Sequence, residues 1–176
     1  MGELLRTTCS PDEVCLSDSV PEVGEKYPNR QLEVILRTTV TPQVKLSNGT
    51  ATIRLEGRAF FFLEGTSIKV GKIPFETIAT FFFSTIHDRL TGSMAISKLI
   101  FKKDVDFFDL PVDSLNGLRD ATKGATLNLL NTLLKKGLPL NKTKDLQISE
   151  PLINIVHGAF IIQVNFDLER DFYNKS

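Results

Sequence analysis

Hydrophobic positions recur along this chain with two periods, and the change of period divides it. From Leu110 to Leu140 the sequence reads LPVDSLNGLRDATKGATLNLLNTLLKKGLPL. Leu115, Leu118, Thr122, Ala125, Leu129 and Leu133 return every three or four positions, which is one face of an α-helix. Asn116, Asp120, Lys123, Asn128, Asn131 and Lys135 hold the other side. Asp113 and Ser114, behind Pro111, are N-cap residue types, and Lys135-Lys136-Gly137 is a helix ending. The expected helix is roughly 23 residues, about 35 Å long. Gly117 and Gly124 each cost it about 1 kcal/mol relative to Ala. It therefore needs its apolar face buried.

Elsewhere the period is two. Residues 31–40 alternate Leu32, Val34 and Leu36. Pro42 and Ser47-Asn48-Gly49 then mark a turn. Residues 51–63 put Ile53, Leu55, Ala59, Phe61 and Leu63 on one face, with Thr52, Arg54, Glu56 and Arg58 on the other. Residues 68–86 are apolar on both faces, Ala79, Phe81 and Phe83 against Ile78, Phe82 and Ile86. That implies cover on both sides. Pro74 demotes the middle of this strand to an edge or a bulge. Residues 90–101 form a further strand, with Met94 and Ile96 on one face. Residues 145–155 and 159–168 flank a hairpin turn at His157-Gly158, and Phe160, Ile162 and Val164 alternate with Ile161, Gln163 and Asn165. Long strands, one helix and a closing hairpin, with no βαβ alternation, predict an α+β fold. Its antiparallel sheet would be strongly curved around the helix.

Residues 1–30 carry six acids, three bases, three prolines and two glycines. They read as a tail or linker with a short helix near Pro21–Lys26. Residues 171–176 read as a second tail.

Composition narrows the function. Lys plus Arg equals Asp plus Glu at 21 each, so no electrostatic footprint for nucleic acid exists. No apolar run reaches the length of a transmembrane helix. Thirteen Phe against two Tyr and no Trp is an aromatic set without polar handles, suited to a dry interior or a lipid-like ligand. Met1-Gly-Glu-Leu-Leu-Arg lacks an apolar h-region, so a signal peptide is not expected. Asn48, Asn141 and Asn174 each open a glycosylation sequon. Sequons without a leader suggest a fragment or short form of a longer secreted protein. Cys9 and Cys15 form either a small disulfide loop or two free thiols, and no His lies near to suggest zinc.

Catalytic signatures fail one by one. Gly65 to Lys72 resembles a P-loop, but five residues separate its glycines and Ile73 stands where Ser or Thr must bind magnesium. Gly92-Ser93 lacks the flanks of a nucleophile elbow. His87 and His157 are turn residues. Lys102-Lys103 and Lys135-Lys136 read as solvated faces. An enzyme is not expected, nor a cofactor or metal.

The segments Val20–Asn29 (VPEVGEKYPN) and Leu133–Gln147 (LLKKGLPLNKTKDLQ), with the closing hairpin over Leu152–Val164, resemble the C-terminal domain of the bactericidal/permeability-increasing (BPI) and lipopolysaccharide-binding protein family. The chain departs from the family at Asn141, where relatives usually carry a second Pro. The resemblance implies a BPI-type tubular lipid-binding barrel over residues 31–170. In the family two such barrels join in a boomerang, and each holds phospholipid chains in an apolar pocket between a long helix and a curved sheet. Here one barrel is expected. It also implies a secreted protein of innate defence or lipid transport, with phospholipid or another acyl lipid as partner. On this reading Phe61, Leu63, Phe81, Phe83, Ile96, Leu118, Leu129, Phe160 and Ile162 form the apolar wall of a tunnel. In the alternative, the same residues close into a core, and the domain works by docking on an N-terminal barrel or on a second copy of itself.

Overall fold

The computed structural model describes residues 5–10, 12–140 and 146–168. Short helix α1 is Pro21–Lys26. Strands follow at β1 Leu32–Thr38, β2 Gln43–Ser47, β3 Thr50–Leu63, β4 Lys69–Ile86, β5 Arg89–Phe101 and β6 Asp106–Phe107. Long helix α2 is Asn116–Lys136, and β7 Leu138–Pro139, β8 Leu146–Val156 and β9 Ala159–Leu168 complete the chain. The main sheet has the order β1-β3-β4-β5-β7, with β2 also on β3 and β6 on β4, while β8 and β9 form a two-stranded sheet. β1 on β3, β6 on β4, β7 on β5 and β9 on β8 all run antiparallel. This is the expected α+β architecture.

The structure corrects or extends the sequence reading at three points. Pro74 is not on an edge strand: β4 runs through it and lies between β3 and β5. Its missing N–H is tolerated where the neighbour on one side changes from β6 to β5. β6 pairs at Gly71 and Lys72, and the Lys102 N–H, just past β5, donates to the Pro74 carbonyl at 2.8 Å. Gln43–Ser47, between the expected turn markers, is strand β2, and the turn expected at Asn48-Gly49 (φ 50° and 75°) is its two-residue hairpin with β3. Positive φ at both positions is what such a tight hairpin requires. Thirdly, the segment from Leu16 to Val23, read within a tail, packs into the core. Leu16, Val20 and Val23, four and three apart, are 0–2% exposed. Composition hid this stripe, because Asp12, Glu13 and Glu25 turn outward around it.

The chain divides into two compact units. Unit 1 holds residues 1–43, 53–79 and 96–129; unit 2 holds residues 44–52, 80–95 and 130–176. The core of unit 1 gathers Leu16, Val20, Val23, Leu32, Phe61, Leu63, Ile73, Phe107, Leu115 and Leu118. Each fully buried side chain of this size contributes about 1.5–3 kcal/mol. A disulfide joins Cys9 to Cys15. β6 lies so close on Gly71 that a Cβ there would collide with the Asp106 carbonyl oxygen, so only glycine fits.

One face of unit 1 carries a lattice of charges across β3, β4 and β5. Arg54 meets Glu56 at 2.8 Å and Glu76 at 3.3 Å, Lys98 meets Glu76 at 2.8 Å, and Lys102 meets Glu56. Period two puts Arg54 and Glu56 on that face, as their alternation in the sequence predicts. Glu76 is buried at 6% exposure, which an unpaired carboxylate would not tolerate.

In unit 2, Gly137 (φ 69°) ends α2 with its N–H on the Leu133 carbonyl at 3.1 Å. The Arg89 guanidinium donates to the Lys136 and Gly137 carbonyls, both at 2.9 Å. Those are carbonyls that a helix C-terminus leaves without partners. The β2–β3 turn meets the second sheet, with the Gly49 N–H on the Ile155 carbonyl and the Gly158 N–H on the Leu46 carbonyl.

Candidate functional site

Apolar surface, rather than any polar constellation, is the candidate site. The nine residues expected as a wall fall into distinct environments. Phe61, Leu63 and Leu118 lie inside the closed core of unit 1, and the Phe61 ring sits 4.7 Å from that of Phe107. Residues of the N-terminal segment fill the space beside them, which the sequence reading did not provide for. Ile96 is buried at 9% exposure.

Of the other five, Phe160, Ile162 and Leu129 are exposed, while Phe81 and Phe83 are half-buried. Phe81 and Phe83 stack with centroids 6.1 Å apart, and Phe160 meets Phe83 edge-on at 5.5 Å. Their spacing follows from the strands: i and i+2 share a face on β4, and Phe160 shares a face of β9 with Ile162. Phe160 is 36% exposed and Ile162 44%. Ile162 stands directly opposite Ile153, and Phe160 opposite Ile155, so these four extend one apolar face of the hairpin. Its other face also exposes Leu152 and Ile161.

Helix α2 shows the same openness. At about 100° per residue, Leu129 lies within roughly 20° of Leu118 around the axis, and Leu133 within about 60°. Leu118 is buried, yet Leu129 is 41% exposed and Leu133 55%. The apolar stripe is continuous, but its cover stops. The opposite side of the distal half is engaged instead. Asn131, which the sequence places on the polar side, accepts from the Met94 N–H at 2.7 Å and donates to the Met94 carbonyl at 3.0 Å. Sequence reading missed this contact, because an Asn on the polar side of a helix looks like any solvated residue.

Among the described residues, the two carboxyls with shifted titration belong to the charge lattice. The Lys102 hydrogen bond holds the Glu56 carboxyl below the usual glutamate range against an opposing burial cost, with Arg54 adding to the shift. Lys98 does the same for Glu76, again with Arg54 and against burial. Asp18 approaches Cys9 and Cys15, but both thiols are spent in the disulfide. Its carboxylate instead accepts the Cys15 N–H at 2.8 Å. Asn48 is exposed at its turn, while Asn141 and Asn174 lie outside the described residues.

The model of the LBP/BPI/CETP family C-terminal domain matches residues 2–168. The chain belongs to that family. Among solved structures it is similar to the crystal structure of lipopolysaccharide binding protein, with a TM-score of 0.58 at 17% identity. The match covers 88% of this chain and 36% of the other, so the chain spans about a third of that protein's length. No curated protein matches it by sequence. Within the family's C-terminal domain, the segment that carries Leu16, Val20 and Val23 lies inside the matched region, as a part of the domain.

Proposed function

We propose that this family member is a lipid-binding domain that holds acyl chains of phospholipid, or of another lipid, against the open apolar faces just described. Family and fold support a lipid-binding domain of the BPI/LBP type. One observation carries the assignment further: the stripe of α2 stays apolar through Leu129 and Leu133 after its protein cover ends. In unit 2 the proposed wall residues are Phe81, Phe83, Phe160 and Ile162 on the strands; Leu129 is an open apolar position of α2 in unit 1. Each methylene taken up contributes about 0.8 kcal/mol. With so few polar groups nearby, chain burial rather than headgroup contact sets the affinity. The role is binding, not catalysis. An extracellular setting accords with the disulfide and with an exposed acceptor at Asn48, and innate defence or lipid transport is the corresponding biology. Native mass spectrometry of gently purified protein tests the proposal: co-purified phospholipid supports it, and a uniformly empty domain that takes up none from vesicles refutes it.

A second reading rests on β1. It ends the main sheet, and Ile35 and Leu36 on it are 44% and 66% exposed. An apolar terminal strand suits pairing with a family-type N-terminal barrel or with a second copy of the chain.

A further inference from the structure

A polar cleft of about 370 Å3 opens in unit 1, lined by Arg6, Thr8, Asn29, Arg30, Gln31 and Glu64. Its floor is built before any ligand arrives. Arg6 and Gln31 form an antiparallel bridge. The Thr7 N–H and hydroxyl both donate to the Arg30 carbonyl at 2.9 Å, and the Arg30 N–H donates back to the Thr7 hydroxyl at 2.9 Å. Thr8 and Asn29 exchange two bonds of 3.0 Å. The Glu64 N–H, on the Gln31 carbonyl at 2.8 Å, brings in the third charged residue. Thr7 is fully buried beneath, and the Cys9–Cys15 disulfide follows directly.

The charged groups above this floor are poorly used by the protein. Among the described residues the Arg6 guanidinium pairs with exposed Glu13 alone, at 3.5 Å, and such surface pairs hold weakly. The Arg30 guanidinium and the Glu64 carboxylate have no hydrogen-bond or ion-pair partner among the described residues. Two guanidiniums offer planar forks of donors, which match phosphate oxygens. A carboxylate in the same cleft repels a bare polyanion but pairs with an ammonium. The volume is at the low end for small-ligand sites, about 300–1,000 Å3. It suits a headgroup-sized molecule and not an acyl chain.

We propose that this cleft binds an aminoalkyl phosphate, with the phosphate on Arg6 and Arg30 and the ammonium on Glu64. The shared chemistry belongs both to the headgroup of an ethanolamine phospholipid and to a free aminoalkyl phosphate. The site shares no residue with the apolar wall, so acyl-free probes test it separately.

Calorimetric titration of the whole chain with O-phosphoethanolamine, inorganic phosphate and ethanolamine reads the free form. Binding to phosphatidylcholine vesicles with and without phosphatidylethanolamine reads the lipid form. The expected order is O-phosphoethanolamine above phosphate, with ethanolamine silent. Arg30→Ala should weaken both phosphates about tenfold, the worth of one charge-assisted contact. Glu64→Gln should erase the advantage of O-phosphoethanolamine and leave phosphate binding equal or stronger. Both residues are exposed, and unchanged melting of the variants confirms that folding is intact. An ethanolamine-lipid preference on vesicles that Arg30→Ala abolishes, without binding of the free compound, assigns the site to the lipid. Binding in neither format, or binding indifferent to both substitutions, overturns the proposal.

Discussion

The side-chain amide of Asn131 stands in for a β-strand: it accepts the Met94 N–H and donates to the Met94 carbonyl. β7 pairs with β5 only at Arg89 and Leu90. Beyond that short pairing, Asn131 satisfies the backbone of Met94, which is buried at 6% exposure. A helix residue thus completes a strand's hydrogen bonding.

Asn131→Ala should therefore destabilise the protein by about 2 kcal/mol, since two buried backbone groups lose their partners. Urea denaturation checks this. A midpoint equal to that of the unaltered chain would mean that water replaces the amide without loss.

Phe61→Ala and Phe83→Ala should separate core from wall. Phe61 is 6% exposed in a closed cluster, so its truncation should cost about 3–5 kcal/mol and resist rescue by lipid. Phe83 and its neighbour Phe81 are half-buried, so Phe81→Ala or Phe83→Ala should cost less, and added phospholipid should restore part of the loss. Thermal melting with and without phospholipid vesicles distinguishes the two classes. A core-sized loss at Phe81 or Phe83 with no rescue would count against the wall.

Leu129→Asp should leave stability within about 0.5 kcal/mol, as for an ordinary surface position, while weakening lipid uptake. Leu118→Asp, on the same side of α2 but buried, should unfold unit 1 by placing an unpaired charge in the core. Equal destabilisation by the two would show that the stripe is covered along its whole length.

Acid should loosen unit 1 through Glu56 and Glu76. Both carboxyls have folded pKa values below the unfolded glutamate value of about 4.3. Their contribution is present above that value and is lost as pH falls through the lowered folded values. Glu76→Gln should flatten the stability profile as pH falls below the usual glutamate range. A profile unchanged by the substitution would place the acid sensitivity elsewhere.

The isolated chain should self-associate through β1. Its Ile35 and Leu36 are exposed on the terminal strand of the main sheet. Leu36→Lys should reduce the association, because edge charges oppose strand pairing. Light scattering over a concentration series reads both, and a monomer into the high micromolar range would show that the edge is protected.

The long elements were legible because their periods are long. Thirteen or more residues of alternation in β3, β4 and β5 leave little choice of structure. The five residues of β2 give no such run, and Gln43, Val44 and Lys45 are all exposed. The burial of Leu16, Val20 and Val23 is hard to read because acids, prolines and glycines around them outweigh three well-spaced apolar positions. The position of α2 was readable from Leu115 and Leu118, but where its cover ends was not. Leu129 and Leu130, like Leu133 and Leu134, are adjacent leucines that give the helix apolar positions on two sides. Only tertiary contacts, such as that of Asn131 with Met94, decide which side is met.

The packing of Leu16, Val20 and Val23 against Phe107, Leu115 and Leu118 also sets a timetable. These partners are synthesised about 90 residues after the segment they cover, a wait of roughly 5–20 s at ordinary translation rates. Until then, only Leu32, Phe61, Leu63 and Ile73 of its cluster exist to cover the early apolar stripe. The Cys9–Cys15 bridge, formed from neighbours in the chain, can close without the later residues. The first part of the chain to acquire a covalent constraint is thus among the last to be covered.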